Sequence, residues 1–406
     1  MMDRFVGLIG IVALLGIAYA MSNNRSSISK RIVLWGLGLQ LLFAMFILKT
    51  PVGQPFFAAI DGVIEQLLGF ADAGSDFLFK SFGNGIVEAP LLNFAFRILP
   101  TIIFFSSLMA LMYYLGIMQK LISWMAAGMQ KTMGTSGSET LSVAANIFVG
   151  QTESPLMVRP FISKMTKSEL MAVMTGGFAT VAGGVMAIYV AMLSDIPGIA
   201  GHLMAASIMS APAALVMAKI IFPEMEQSKT LGNHKINVET PDDNAMEALS
   251  RGATDGMKLA ANVGAMLVAF VAFIALVNGI LGLFGLTVEE MLSWLFRPLA
   301  WAMGAPWSEA AILGQLMGEK LVLTELIAFT DLMEIRAQNA VSDRTAIIAS
   351  YALCGFANFA SIGIQLGGIG GIAPERRKDL AKIALKAMIA GALASWLTAT
   401  IAGIII

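Results

Sequence analysis

The chain has 406 residues, of which 57% are hydrophobic and 13% charged, with a formal net charge of −1. Soluble domains average about 25% charged residues, so the composition excludes an ordinary soluble globule, and the near-neutral balance offers no footprint for nucleic acid. A single cysteine, Cys354, and two histidines, His202 and His234, exclude an internal disulfide, a cysteine metal cluster and a histidine-rich metal site.

The first apolar stretch, about residues 4–21, ends Ala18-Tyr19-Ala20, as a signal peptide can. Its only leading cation, Arg4, is balanced by Asp3, so it reads as a first transmembrane helix. The loop Asn23 to Arg31 carries Arg25, Lys30 and Arg31 without an acid. Positive loops stay cytoplasmic, which places the N-terminus outside. A second span, 32–49, ends before Pro51. Phe56 to Phe82 mixes aromatics with Asp61, Glu65, Asp72, Asp76 and Lys80, and fits an amphipathic helix on the outer surface. Arg97 to Gly116 is a third span, followed by an interfacial stretch, Lys120 to Lys131, anchored by Trp124.

Gly137 to Phe161 is too polar and too broken to cross alone. Lys131 lies before it and Arg159, Lys164 and Lys167 near its end, so both ends belong on the cytoplasmic side. That predicts a re-entrant hairpin with a polar tip near the midplane. Pro155 sits where a second half-helix begins, where its missing N–H costs least. Leu170 to Leu193 is a glycine-rich span that can break, and 202–222 returns inward. Pro223 to Lys258 is a cytoplasmic linker running into a helix after Pro241. Leu259 to Phe284 spans outward, and 285–307 is an outer interfacial helix. Ser308 to Leu332 repeats the broken pattern with both ends outside, so the two halves are inverted. Thr345 to Gly368 is a span containing Asn358, Ser361 and Gln365. The basic run Pro374 to Lys382 is cytoplasmic, and 383–406 exits outward.

The expected fold is an all-α polytopic membrane protein with about eight transmembrane helices, two re-entrant helical hairpins in an inverted repeat, and interfacial helices. Both termini lie outside. The expected units are N-terminal spans and interfacial helix (1–92), scaffold span and interfacial helix (93–136), first hairpin and following spans (137–222), cytoplasmic linker and amphipathic helix (223–258), scaffold span and outer interfacial helix (259–307), and second hairpin with the last two spans (308–406).

One short pattern occurs twice. Gly150-Gln151-Thr152-Glu153-Ser154-Pro155 is followed by Gly177-Phe178-Ala179-Thr180-Val181-Ala182. Val322-Leu323-Thr324-Glu325-Leu326 is followed by Gly355-Phe356-Ala357-Asn358-Phe359-Ala360. A carboxylate at membrane depth costs roughly 2.5–3.5 kcal/mol even on insertion scales. Two in equivalent surroundings argue for a shared polar site. The bland alternative is snorkelling or an internal ion pair, for which Lys320 is a candidate partner of Glu325. Gln151, Asn358 and Ser361 serve equally as interhelical hydrogen bonders. Together with the glutamates they form an amide, hydroxyl and carboxylate set without a cation, suited to a neutral solute rich in hydroxyls. Phe356 is placed for an aromatic wall, whereas Phe178 reads as core. Asn146 and Thr180 offer oxygens to a small hard cation. No G-x-x-x-x-G-K-[ST] motif is present, and no histidine stands near Gly134-Thr135-Ser136-Gly137-Ser138, so neither ATP use nor a hydrolase is supported.

These segments, with Glu319-Lys320-x-x-x-Thr324-Glu325 and Tyr351-Ala352-Leu353-Cys354-Gly355-Phe356-Ala357-Asn358-Phe359-Ala360-Ser361-Ile362, resemble the concentrative nucleoside transporters from about residue 90 onward. The resemblance implies a sodium-driven nucleoside importer of a bacterial cytoplasmic membrane. It implies a homotrimer in the bilayer, and an elevator-like mobile region holding both hairpins and the two broken spans. It places the base of a nucleoside such as uridine at Gln151, Thr152, Glu153 and Val185 with Phe356 beside it, and the ribose at Glu325, Asn358 and Ser361. It places co-transported sodium at Asn146, Val149, Thr180 and Val181. Thr324 departs from the asparagine common in relatives. Proton coupling through Glu153 or Glu325, and a non-transporting nucleoside sensor, are the alternative readings.

Overall fold

The computed structural model describes residues 2–51, 53, 55–65, 99–230 and 242–406, and every regular element among them is helical. The N-terminal part contains α1 (Met2–Ala20), α2 (Lys30–Lys49), α3 (Leu99–Tyr114), α4 (Ile117–Met133) and α5 (Gly137–Ala145). Next come α6 (Lys167–Ala179), α7 (Gly183–Met192), α8 (Ile199–Ile221) and α9 (Ala245–Leu281). The rest is α10 (Val288–Ala302), α11 (Ala310–Val322), α12 (Glu325–Ala337), α13 (Asp343–Leu353), α14 (Phe359–Ile372) and α15 (Arg377–Ile405). The expected surface helix over 56–82 is helical through 55–65, and its remainder lies outside the described residues.

Among the described residues, four helical stretches are long and apolar enough to cross a membrane: Lys30–Lys49, Lys167–Met192 taken through its break, Ile199–Ile221 and Pro374–Ile405. Between α3 and α4 the chain turns by 76°. Gly116, in the left-handed region at φ 73°, makes that turn, and Trp124 on α4 is 76% exposed. The interfacial stretch is therefore a separate helix, as its sequence indicates.

The two hairpins are built unequally. In the second, α11 and α12 are both 13 residues long and meet at Leu323–Thr324. In the first, α5 is followed by a turn, a 3-10 segment Ser154–Val158 and a short turn of helix, Arg159–Ile162. Pro155 and Pro160 both lack an N–H, which prevents a regular second arm there. The linker also differs from expectation. Its second half joins the following span in one 37-residue helix, α9, capped by Asn244. Arg251–Asp255 (3.7 Å) and Lys258–Asp255 (3.6 Å) pair along its polar end, so neither a cap nor a breaker falls at 258/259.

Loop contacts sort the chain into two ends. At one end Arg31 donates to the carbonyls of Lys131 and Thr132, and Arg376 donates to those of Ile162, Ser163 and Met165. Lys219 pairs there with Glu139 (2.6 Å), and Ser228 and Thr230 donate to Glu169. At the other end Arg336 bridges Asp195 and Asp343, Ser342 donates to Glu309, and Arg344 donates to the carbonyl of Gly403. Helices α8 and α15 run from one end to the other. The base of the first hairpin lies at the first end and that of the second hairpin at the opposite one, the inverted arrangement expected. The loops judged cytoplasmic from their charge share one end.

Helix α3 packs along α9. Ser107 donates to the carbonyl of Leu249 at 3.1 Å. A Cβ on Gly252 would lie 2.6 Å from the α3 backbone at Ser106 and Ser107, and one on Gly256 2.7 Å from Ile103 Cα. Small residues four apart bring helix backbones together in a membrane.

Candidate functional site

Both long spans that carry the repeated motif are broken. α6 and α7 are separated at Thr180–Ala182, and α13 and α14 at Cys354–Asn358. The breaks cross backbone to backbone. Gly355 has φ 148°, and a Cβ there would lie 2.8 Å from Phe178 O and 2.9 Å from Ala179 O. A side chain is thus disfavoured by both dihedral and space. The glycine of one copy receives the Phe-Ala of the other.

Glu325 opens α12, with Thr324 as its N-cap accepting from Ile327 N at 3.4 Å. The Glu325 carboxylate is buried. Tyr189 OH donates to Oε1 and Asn358 Nδ2 to Oε2, each at 2.9 Å. An anion at a helix N-terminus, held by two neutral donors, is electrostatically stabilised without a cation. The Tyr189 ring stacks on Phe329 with centroids 4.0 Å apart and an interplanar angle of 16°.

Lys320 is not the partner of Glu325. Its ammonium donates to Ala352 O at 2.8 Å and Ser395 Oγ at 2.6 Å. The break in α13 leaves carbonyls without helical partners, and Lys320 is drawn to one of them.

From Glu325 the hydrogen bonds continue across the protein. Asn358 Oδ1 accepts from Ser361 N at 2.8 Å, which caps α14. Ser361 Oγ accepts from Gln151 Nε2 at 3.2 Å, and Gln151 Oε1 accepts from Gln365 Nε2 at 3.0 Å. Gln365 also donates to Met174 O at 3.1 Å. Gly177 makes room for this end: a Cβ there would stand 2.6 Å from Gln365 Nε2 and 3.0 Å from Gln151 Cβ. One polar chain thus links the second hairpin, α7, the second broken span and the first hairpin. As interhelical hydrogen bonders these groups satisfy one another except at the buried Gln365 Oε1, which has no partner, and as a binding set they converge.

Of the sequence-nominated residues, Gln151, Glu325, Asn358 and Ser361 are joined in this network. Thr152, half-buried, faces Gly368. Glu153 is exposed, stands at the N-cap position of Ser154–Val158 without a side-chain capping bond, and folds its carboxylate over Gly150. Val185 is buried on α7, and Phe356 is half-buried in the second break. Sequence reasoning missed two members, Tyr189 and Gln365. Each lies one helical turn past a nominated residue, Val185 and Ser361, and that i+4 spacing was the available signal.

The turn after α5 lies against the break between α6 and α7. Thr180 Oγ1 donates to Asn146 O at 2.9 Å, and Gly183 N donates to Phe148 O at 3.1 Å. Asn146 is buried. Its Nδ2 donates to Ser142 O at 3.3 Å, while its Oδ1 has no partner. A buried amide oxygen without a donor costs free energy unless something positive meets it. The expected ligands Asn146, Val149, Thr180 and Val181 all sit on these two loops and offer only oxygens, the donor type of a hard cation.

Inverted hairpins and broken helices around a buried polar site are the architecture of a secondary transporter. Comparison with known proteins identifies which kind. Family profiles described as Na+ dependent nucleoside transporter N-terminus, nucleoside recognition, and Na+ dependent nucleoside transporter C-terminus match residues 9–82, 95–195 and 202–403. An uncharacterized transporter of Haemophilus influenzae is 44% identical, over 100% of this chain and 98% of that one. Sodium/nucleoside cotransporter 1 of Rattus norvegicus is 41% identical, over 99% of this chain and 64% of its own length. The structure of CNTnw in an inward-facing substrate-bound state matches with TM-score 0.91 and 43% identity, covering 100% of this chain and 98% of that one. A doubly substituted CNTnw in an outward-facing state matches with TM-score 0.90 and 42% identity over the same shares. The chain belongs to the concentrative, Na+-dependent nucleoside transporter family. It is a multi-pass membrane protein and a sodium-coupled nucleoside importer working by alternating access, not an enzyme.

Proposed function

We propose that the hydrogen-bonded chain from Tyr189 through Glu325, Asn358, Ser361 and Gln151 to Gln365 is the nucleoside site. The supporting observation is its continuity across both hairpins and both broken spans. In this reading the ribose hydroxyls donate to the free lone pairs of Glu325 and meet Asn358 and Ser361. The base takes the place of the Gln151–Ser361 bond and meets Gln151, Thr152 and Glu153, with Val185 and Phe356 against its faces. An uncharged, hydroxyl-rich solute fits a site whose charged members, Glu325 and Glu153, are both carboxylates.

Sodium binds at Asn146, Val149, Thr180 and Val181, where Asn146 Oδ1 is unpartnered. Asn146 and Gln151 belong to one turn. An ion that fixes the first end of that turn also fixes the amide that reads the base, so the two cargoes favour each other's binding. The α3–α9 pair is the fixed scaffold. Both hairpins with the broken spans are the moving body of an elevator. The protein works as a homotrimer with about eight spans per protomer, both termini outside, in a bacterial cytoplasmic membrane, and uridine is a substrate.

Glu325→Gln tests the site. Hydrogen bonds to a charged group are worth about 1.5–3 kcal/mol, so nucleoside affinity falls roughly 10- to 150-fold while the purified oligomer stays folded. Unchanged transport by that variant refutes the ribose assignment.

A further inference from the structure

Helix α14 meets the tip of the first hairpin along one face. Ser361, Gln365 and Gly368 follow one another at helical spacing, four and then three residues apart. Ser361 Oγ stands 3.2 Å from Gln151 Nε2, and Gln365 Nε2 stands 3.0 Å from Gln151 Oε1. A Cβ on Gly368 would lie 2.9 Å from Thr152 Cγ2. Gln151 is thus held at both ends of its amide by residues one turn apart on a single helix. Gln365 itself is fully buried.

The direction in which these amides point is decided by a group that cannot turn. Met174 O, a backbone carbonyl of α6, can only accept a hydrogen bond. Gln365 approaches it at 3.1 Å and must present N–H there. The other proton of the same Nε2 goes to Gln151, so Gln151 must present its oxygen to Gln365. The Nε2 of Gln151 is then turned the other way, toward Ser361. Reversing Gln365 would set oxygen against oxygen at Met174. Gln365 Oε1 is buried without a partner, so the two bonds from Nε2 alone set the orientation. A glutamine that only joined helices would satisfy both ends of its amide. This one leaves an acceptor unpaired, at a cost in free energy, and directs its protons to Met174 O and Gln151.

The far end of the network is fixed in the same way. Glu325 accepts from Asn358 Nδ2 at 2.9 Å, and Asn358 Oδ1 accepts from Ser361 N at 2.8 Å. Both amides placed against the nucleoside, Asn358 and Gln151, are therefore locked in one of their two orientations.

We infer that Gln365 is a positioning residue for base recognition: it holds Gln151 with the N–H side toward the nucleoside, so that the carrier reads a hydrogen-bond acceptor on the base. The inference rests on the reading of Gln151 as a base contact. Gln365 acts through Gln151 and not by its own contact with the base. Without it the Gln151 amide is free to turn, and its oxygen then faces the carbonyl or ring-nitrogen acceptor that its N–H would have met.

Calorimetric titration of two ligands into the purified full-length protein, in sodium, tests this. One ligand is uridine. The other is a phenyl C-riboside, which keeps the ribose and a flat ring but has no polar atom on the ring. The wild type is expected to bind uridine about tenfold more tightly than the phenyl riboside, as one or two hydrogen bonds to the base would give. Gln365→Leu, similar in size and apolar, narrows that gap: it weakens uridine by up to about tenfold and leaves the phenyl riboside unchanged. Gln151→Leu does the same, and the double variant loses no more than Gln151→Leu alone. Gln151→Glu, which still accepts from Gln365 but offers the base only oxygen, also weakens uridine. Sodium continues to raise the unfolding temperature of every variant, which shows that they fold. Wild-type uridine affinity in Gln365→Leu, equal loss of both ligands in it, or additive losses in the double variant overturns the inference. So does undiminished uridine binding by Gln151→Glu. Wild-type uridine affinity in Gln151→Leu refutes the base assignment itself, and the inference with it.

Discussion

Tyr189→Phe isolates one bond of the network. It removes the phenolic oxygen that donates to Glu325 Oε1 at 2.9 Å and leaves the ring, which stacks on Phe329 at 4.0 Å. The volume change is one oxygen in a fully buried position, so packing and stability are nearly preserved. What is lost is a donor to a buried carboxylate, worth about 1.5–3 kcal/mol. Glu325 keeps Asn358 as its one remaining side-chain donor and is no longer held from both sides. The ribose then meets a carboxylate free to rotate. Nucleoside affinity is expected to fall roughly tenfold or more, with sodium dependence unchanged because the ion loops are untouched. Calorimetric titration of uridine into the purified protein, alongside thermal unfolding, measures both. A folded variant with wild-type affinity refutes the claim that Tyr189 orients the site.

Gly177→Val drives a side chain into Gln365 Nε2 and Gln151, which a Cβ would already meet at 2.6 and 3.0 Å. Base contacts should fail, and nucleoside binding should drop at least about tenfold in calorimetry. Gly256→Leu separates α9 from α3, whose Ile103 Cα lies 2.7 Å from the added Cβ. Overpacking of this kind costs about 1–3 kcal/mol, visible as a lower unfolding temperature. Outside the membrane, Arg251 donates twice to Asp242 at 2.7 Å and holds that carboxyl below its ordinary value of 3.8. The stabilisation is therefore fully present above the ordinary value and is lost as pH falls through the lowered one. Asp242→Asn should lower the unfolding temperature equally at all pH values above the ordinary one, and the difference should shrink below it and vanish only below the lowered one.

Much of this was legible because the membrane penalises polar groups so strongly. Glu325, Asn358, Ser361 and Gln151 stand out in apolar surroundings, and the Thr-Glu and Gly-Phe-Ala repeats tie them to two equivalent segments. The charge of the loops sorted them to one end correctly. The partners were harder to read. Lys320 is five residues from Glu325, yet it points to a carbonyl released by a break in a helix far away in sequence. Tyr189 reaches Glu325 across 136 residues, and its i+4 spacing from Val185 is the one local mark of its hydroxyl. The continuity of α9 through residue 258 was hidden because its polar end is stabilised by ion pairs, whereas hydropathy sees only where the apolar run begins. The unequal first hairpin follows from Pro155 and Pro160 together, and the sequence pattern marks only Pro155 as a helix start.

Radiolabelled uridine uptake into proteoliposomes of the purified protein, at fixed pH, with and without an inward sodium gradient, tests the central claim most directly. Uptake that requires the sodium gradient, and that Asn146→Ala shifts to higher sodium, is the predicted result. Uptake indifferent to sodium, or driven by a proton gradient alone, contradicts it.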